Sequence, residues 1–121
     1  MINKKYKGRC TKIALSKSEN ACRAYTPMQL EYAKLLDKSD DIKEIRCNVL
    51  LDGLEGEIEY TSDFVCTKTD GELMVRECVY RRLLIKPLTA KLLDMSREYW
   101  LRRGVTDWGI VINEEERPNQ N

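Results

Sequence analysis

Residues 57–67 and 73–80 are two strand-like segments on either side of Thr69-Asp70-Gly71, and each has a carboxylate beside apolar residues in its interior. Asp-Gly between such segments is a strong hairpin signal. Asp63 stands in Tyr60-Thr61-Ser62-Asp63-Phe64, and Glu77 in Val75-Arg76-Glu77-Cys78-Val79. Strand interiors disfavour Asp. Both acids lie seven residues from Asp70, so the hairpin sets them near each other across the strands. Like charges so placed repel. A bound divalent cation offsets that repulsion, and so does pointing both side chains to solvent.

The rest of the chain supplies partners for this hairpin. Thr26-Pro27-Met28-Gln29 combines an N-cap residue, a first-turn proline and a capping-box glutamine, which predicts a helix over 27–36. Ile42, Ile45, Cys47, Val49 and Leu51 mark a strand over 42–51, ended by Asp52-Gly53 and Glu55-Gly56. Pro87 opens a second helix over 87–103, with Leu88, Leu92, Met95 and Tyr99 on one side and Leu93, Ser96 and Trp100 beside them. Gly104 suits the position after its end. Trp108, Ile110, Val111 and Ile112 then form a short strand over 107–113. The order helix, three strands, helix, strand gives an α/β fold with a mixed central sheet of about four strands, its last strand parallel to a neighbour through a crossover helix. A chain of 121 residues makes one domain. Its core spans 26–113, after a basic, irregular segment 1–25 and before a polar tail 114–121 that frays.

The chain has no histidine. That excludes Ser-His-Asp and Cys-His catalysis and histidine-ligated zinc or haem, and leaves carboxylate, Lys, Tyr or Cys for acid–base work. Five cysteines occur without a CxxC pair. With no apolar stretch after the basic start, and none long enough to span a bilayer, they read as reduced thiols and small core residues of a cytoplasmic protein. Charge is segregated. Residues 1–25 hold seven Lys/Arg and one Glu, 37–77 hold twelve acids and five bases, and 81–103 hold seven bases and two acids. These blocks are either solvated faces or a carboxylate metal site flanked by phosphate-binding surface.

Taken in order, Ser16-Lys17, Arg23-Ala24-Tyr25-Thr26 leading to Glu31, Tyr60–Phe64, Val75-Arg76-Glu77, Arg97-Glu98-Tyr99-Trp100 and Trp108-Gly109-Ile110-Val111 form one pattern. Over residues 8–113 the chain resembles the N-terminal catalytic domain of TnsA-like transposase endonucleases, in the PD-(D/E)xK superfamily. The resemblance implies a restriction-endonuclease-like core and a metal-dependent DNA endonuclease cutting at transposon ends beside a DDE-type transposase subunit. It implies that Glu31, Asp63 and Glu77 hold Mg²⁺ or Mn²⁺. Lys17, Arg23, Arg82 and Lys86 then position the DNA backbone. The family's lysine, two residues after Glu77, is Val79 here. Arg81, one strand step further on, is the stand-in catalytic cation, with Lys86 a second candidate. The alternative is a catalytically degenerate module of the same fold that binds nucleic acid or inhibits a nucleic-acid enzyme, as a mobile-element or phage accessory protein in a bacterial cell. Tyr99, Trp100 and Trp108 read as core before they read as base-stacking platforms, and Arg76 as a solvated edge charge.

Overall fold

The computed structural model describes residues 2–3, 9–56 and 58–113. In chain order its elements are β1 (Ile2–Asn3), β2 (Thr11–Ile13), β3 (Cys22–Ala24), α1 (Pro27–Lys38), β4 (Ile42–Leu50), β5 (Ile58–Glu59), β6 (Thr61–Lys68), β7 (Leu73–Val79), a 3₁₀ turn (Arg81–Leu83), α2 (Pro87–Arg102) and β8 (Asp107–Ile112). A four-stranded sheet runs β4-β6-β7-β8, with β4, β6 and β7 antiparallel and β8 parallel to β7 after the α2 crossover. The mixed α/β sheet expected from the element order is present. Expectations for residues 1, 4–8, Glu57 and the tail 114–121 lie outside the described residues.

The first helix starts where its cap dictates. The Thr26 hydroxyl accepts from the Gln29 N–H at 3.1 Å, and Gln29 Oε1 accepts from the Tyr25 N–H at 2.7 Å. Both helices bury a stripe on the sheet, one on each face. Ala33 and Leu36 of α1 join Ile45, Phe64, Cys66 and Met74, whereas Leu92 and Trp100 of α2 join Tyr60, Val65, Val75 and Val105. Met74 and Val75, adjacent on β7, therefore serve opposite layers, as strand alternation requires.

That alternation breaks at one level of the sheet. Cys47 packs with the α1 layer, yet Val49, two residues on, packs with the α2 layer. Between them Asn48 has φ 54°, in the left-handed region that Asn tolerates better than most residues. Its opposite number is Asp63, because Cys47 pairs with Phe64 and Val49 with Ser62. The expected single strand over 57–67 is divided as well, into β5 and β6, with the Tyr60 carbonyl between them accepting from the Leu51 N–H.

The N-terminal segment differs from the irregular reading. β2 and β3 form an antiparallel hairpin, and the link between them is tied to the core. The Asp37 carboxylate accepts from the Ser16 N–H and hydroxyl and from the Lys17 N–H, each at 3.0 Å. The Lys17 carbonyl accepts from the Ile45 N–H. Local polarity hides this because every anchor is distant in sequence. The cysteine reading also changes: Cys22 and Cys47 form a disulfide between β3 and β4, whereas Cys10, Cys66 and Cys78 are in no disulfide. Burial pushes the Cys66 thiol up to about 12, against weaker opposition from Arg76 and Arg46, so it is inert.

Arg76 is not a solvated edge charge. Its guanidinium lies across β8 and reaches Asp107 at 2.8 Å, and Lys68 reaches the other carboxylate oxygen at 2.8 Å. Gly109 is paired with Arg76 in register and lies under its side chain: a Cβ there would sit in van der Waals contact with Arg76 Nη1 at 3.4 Å. The Lys68 hydrogen bond first, and Arg76 second, hold the Asp107 carboxyl below the usual carboxylate range against an opposing push from burial. No helix among the described residues is long and apolar enough to cross a membrane.

Two measurements test these fastenings. Thiol titration of the unfolded, unreduced chain should count three cysteines, and reduction should raise the count to five. Closing a loop with a sequence separation of 25 stabilises the fold by about 3 kcal/mol, so Cys47→Ser should lower the urea midpoint accordingly. Because its folded pKa is depressed, Asp107 contributes stability above the ordinary carboxylate value and loses it as pH falls through the folded one. Asp107→Asn should cost stability at neutral pH, and the deficit relative to wild type should shrink in acid.

Candidate functional site

The hairpin carries Asp63 and Glu77 to the place where β6 and β7 part. Their ladder runs from Thr67↔Leu73 to Phe64↔Arg76, and the next step sets Asp63 opposite Glu77. There the carboxylates replace the backbone acceptors. The Asp63 N–H donates to Glu77 Oε1 at 2.9 Å, and the Cys78 N–H donates to Asp63 Oδ2 at 2.7 Å. Each acid thus accepts an N–H from the facing strand, which draws the separating strands together through side chains.

Glu77 Oε2 is the centre of a second set of hydrogen bonds. It accepts from the Ser62 hydroxyl at 2.7 Å and the Ser96 hydroxyl at 2.6 Å. Ser62 in turn accepts from the Trp100 indole N–H at 3.0 Å, and Ser96 from that of Trp108 at 3.1 Å. Glu77, Ser62 and Ser96 are fully buried, and Asp63 is 1% exposed. Two indoles feed two hydroxyls, and both hydroxyls feed one carboxylate oxygen. Sequence spacing locates the carboxylate pair and suggests solvent exposure or a bridging cation as its relief. The fold uses a third way, burial among N–H and O–H donors.

The other expected site residues are distributed elsewhere. Glu31 is exposed on α1 and lines a separate cleft with Tyr32, Tyr80 and Ile112. Val79 is buried and lines an apolar cavity with Leu92 and Leu93. Arg81 is not a further step along the strand, because β7 ends at Val79. Its backbone N–H donates to Asn113 Oδ1 at 2.8 Å and its Nε to the Asn113 carbonyl at 2.9 Å, which turns it toward the end of β8. Arg82 lies over the Tyr80 ring, 5.0 Å from its centroid, and Lys86 is the exposed N-cap of α2. The Lys17 ammonium donates to the Ser39 carbonyl at the end of α1, and Arg23 is exposed on β3. Trp100 belongs to the core, and Tyr99 stacks edge-on against it at 5.1 Å while donating to Asp52.

The implied Mg²⁺ ligands are brought together only in part. Two of the three carboxylates converge, and both oxygens of Glu77 already accept from protein donors. Among the described residues no three acidic or cysteine side chains gather as ligands. Ser62 and Ser96 are the members that sequence reading misses. Their signal is faint: a small hydroxyl in an otherwise apolar stripe, one residue before a strand-interior acid in one case. No protein-family model matches the chain, and no curated protein matches it significantly.

Removing the central acceptor exposes the dependence. Glu77→Ala strands one N–H and two hydroxyls in the core and leaves a void, at a cost of about 3–5 kcal/mol. Ser96→Ala should cost about 1–3 kcal/mol. Urea unfolding followed by tryptophan fluorescence measures both. The double variant should fall short of additivity, since the two share one hydrogen bond. A Glu77→Ala chain as stable as wild type would mean that the carboxylate holds nothing.

Proposed function

We propose that this chain is a nucleic-acid-binding module on a restriction-endonuclease-like scaffold, in which the carboxylate pair is an internal clasp rather than a reaction centre. The observation that carries the binding is the basic strip from the 3₁₀ turn through α2. Arg81, Arg82, Lys86, Lys91, Arg97, Arg102 and Arg103 are all exposed along it, against two exposed acids, Asp94 and Glu98. Three cations elsewhere are used differently: Lys68 and Arg76 hold Asp107, and Lys17 holds Ser39. An exposed strip of this kind suits phosphates read as a charged backbone rather than as a base sequence.

The state of Glu77 weighs against cutting. A carboxylate with three protein donors must give them up to take a new partner, and Val79 beside it cannot stabilise developing negative charge. A metal-dependent endonuclease is the second reading, favoured by the convergence of Asp63 and Glu77 where the strands part. It requires the clasp to open.

Fluorescence anisotropy with a labelled duplex of about 20 base pairs tests the reading. Affinity should fall steeply with salt. Lys86→Glu with Arg97→Glu should weaken every sequence alike and lower the salt slope by about one for each phosphate no longer neutralised. Absence of binding at low salt would leave the strip an ordinary solvated face. Cleavage in Mg²⁺ or Mn²⁺ that Asp63→Ala abolishes would establish the second reading instead.

A further inference from the structure

The 3₁₀ turn after β7 leads the chain away from the sheet before Pro87 starts α2, and this detour leaves a cavity of about 320 Å³. That is the lower end of the range of small-molecule sites, roughly 300–1,000 Å³. Its deep side is apolar and buried: Tyr60, Cys78, Val79, Leu92 and Leu93 are each at most 8% exposed. Thr26 and Thr89, from the starts of α1 and α2, add hydroxyls to the wall. Arg82 is the charged member of the lining and its exposed one, which sets it at the mouth. The Tyr80 ring, also in the lining, lies under its guanidinium.

We propose that this cavity binds a small amphiphilic monoanion: a carboxylate bearing one medium-length apolar chain. The chemistry follows from the two ends. A bare metal ion or inorganic phosphate would be desolvated against leucine and valine with little in return, which excludes it from the deep side. An apolar chain gains there by leaving water. At the mouth, a guanidinium supported by an aromatic face offers the forked donor that a carboxylate matches. The first turns of α1 and α2 contain no acidic residue, so nothing there offsets the positive ends of the helices. A two-chain lipid exceeds the volume. This site lies beside Val79 and makes no use of the Asp63–Glu77 clasp, and it shares only Arg82 with the basic strip.

Calorimetric titration of the full chain with monomeric decanoate tests the proposal, with 1-decanol as the neutral isostere. Wild type should bind decanoate saturably at one equivalent. Arg82→Gln should weaken decanoate about tenfold while leaving decanol within about twofold, because only the carboxylate uses the guanidinium. Leu93→Trp, filling the deep side, should abolish binding of both. If Leu93→Trp does not fold, Thr89→Trp at the half-buried wall serves as the plug. Three results would overturn the assignment: no saturable decanoate binding by folded wild type, an Arg82→Gln chain that binds decanoate as wild type does, or a folded plugged chain that still binds.

Discussion

The Glu77 carboxylate holds four elements at one point. Asp63 and Ser62 reach it from β6, Ser96 from α2, and Trp108 of β8 follows through Ser96. An acceptor in a dry interior must be fully served, because every orphaned donor costs its desolvation energy. This places a geometric demand on the layers above and below. α2 must lie where Ser96 reaches the sheet, and β8 must run in the register that brings Trp108 over Ser96. Apolar packing alone tolerates sliding; a shared polar network does not.

The need for such a network originates in the sheet. At Asn48 and Asp63, β4 and β6 exchange the faces they show to α1 and α2, and β6 leaves β7 at the same level. Parting strands uncover N–H groups that the ladder would have satisfied. Asp63 and Glu77 supply the missing acceptors, each to the strand opposite. Two acids in strand interiors, unfavourable by propensity, thus stand where backbone acceptors run out.

Much of the framework is legible from local signals. The Thr26 cap, the Asp70-Gly71 turn and the crossover helix each depend on residues adjacent in sequence, and each marks its element. The hairpin count from Asp70 also finds the Asp63–Glu77 pair. What is not legible depends on distant residues. Cys22 and Cys47 meet because β3 packs beside β4, and nothing in their spacing selects that pair from five cysteines. The β2–β3 link is ordered by Asp37, a helix residue about twenty positions away. Ser62 and Ser96 look like ordinary small residues until the fold sets them against one carboxylate. Glu31 sits on the expected helix, but on its exposed side, so element prediction succeeds where site prediction needs the helix rotation.

The adjacent residues Arg76 and Glu77 show how one strand fixes a parallel neighbour from both sides. On the α1 face, Arg76 passes over Gly109 to reach Asp107 at the start of β8. On the α2 face, Glu77 reaches the same strand through Ser96 and Trp108. β8 is an edge strand with backbone pairing to β7 alone in its sheet. Its register therefore rests on side chains as much as on the ladder. A slip of one residue would turn Trp108 away from Ser96 and set the large side chain of Trp108 or Ile110 against the Arg76 guanidinium in place of Gly109. Opposite demands on the two faces of β7 thus select a single register, and that register places the carboxyl ends of β7 and β8 side by side, where the 3₁₀ turn departs.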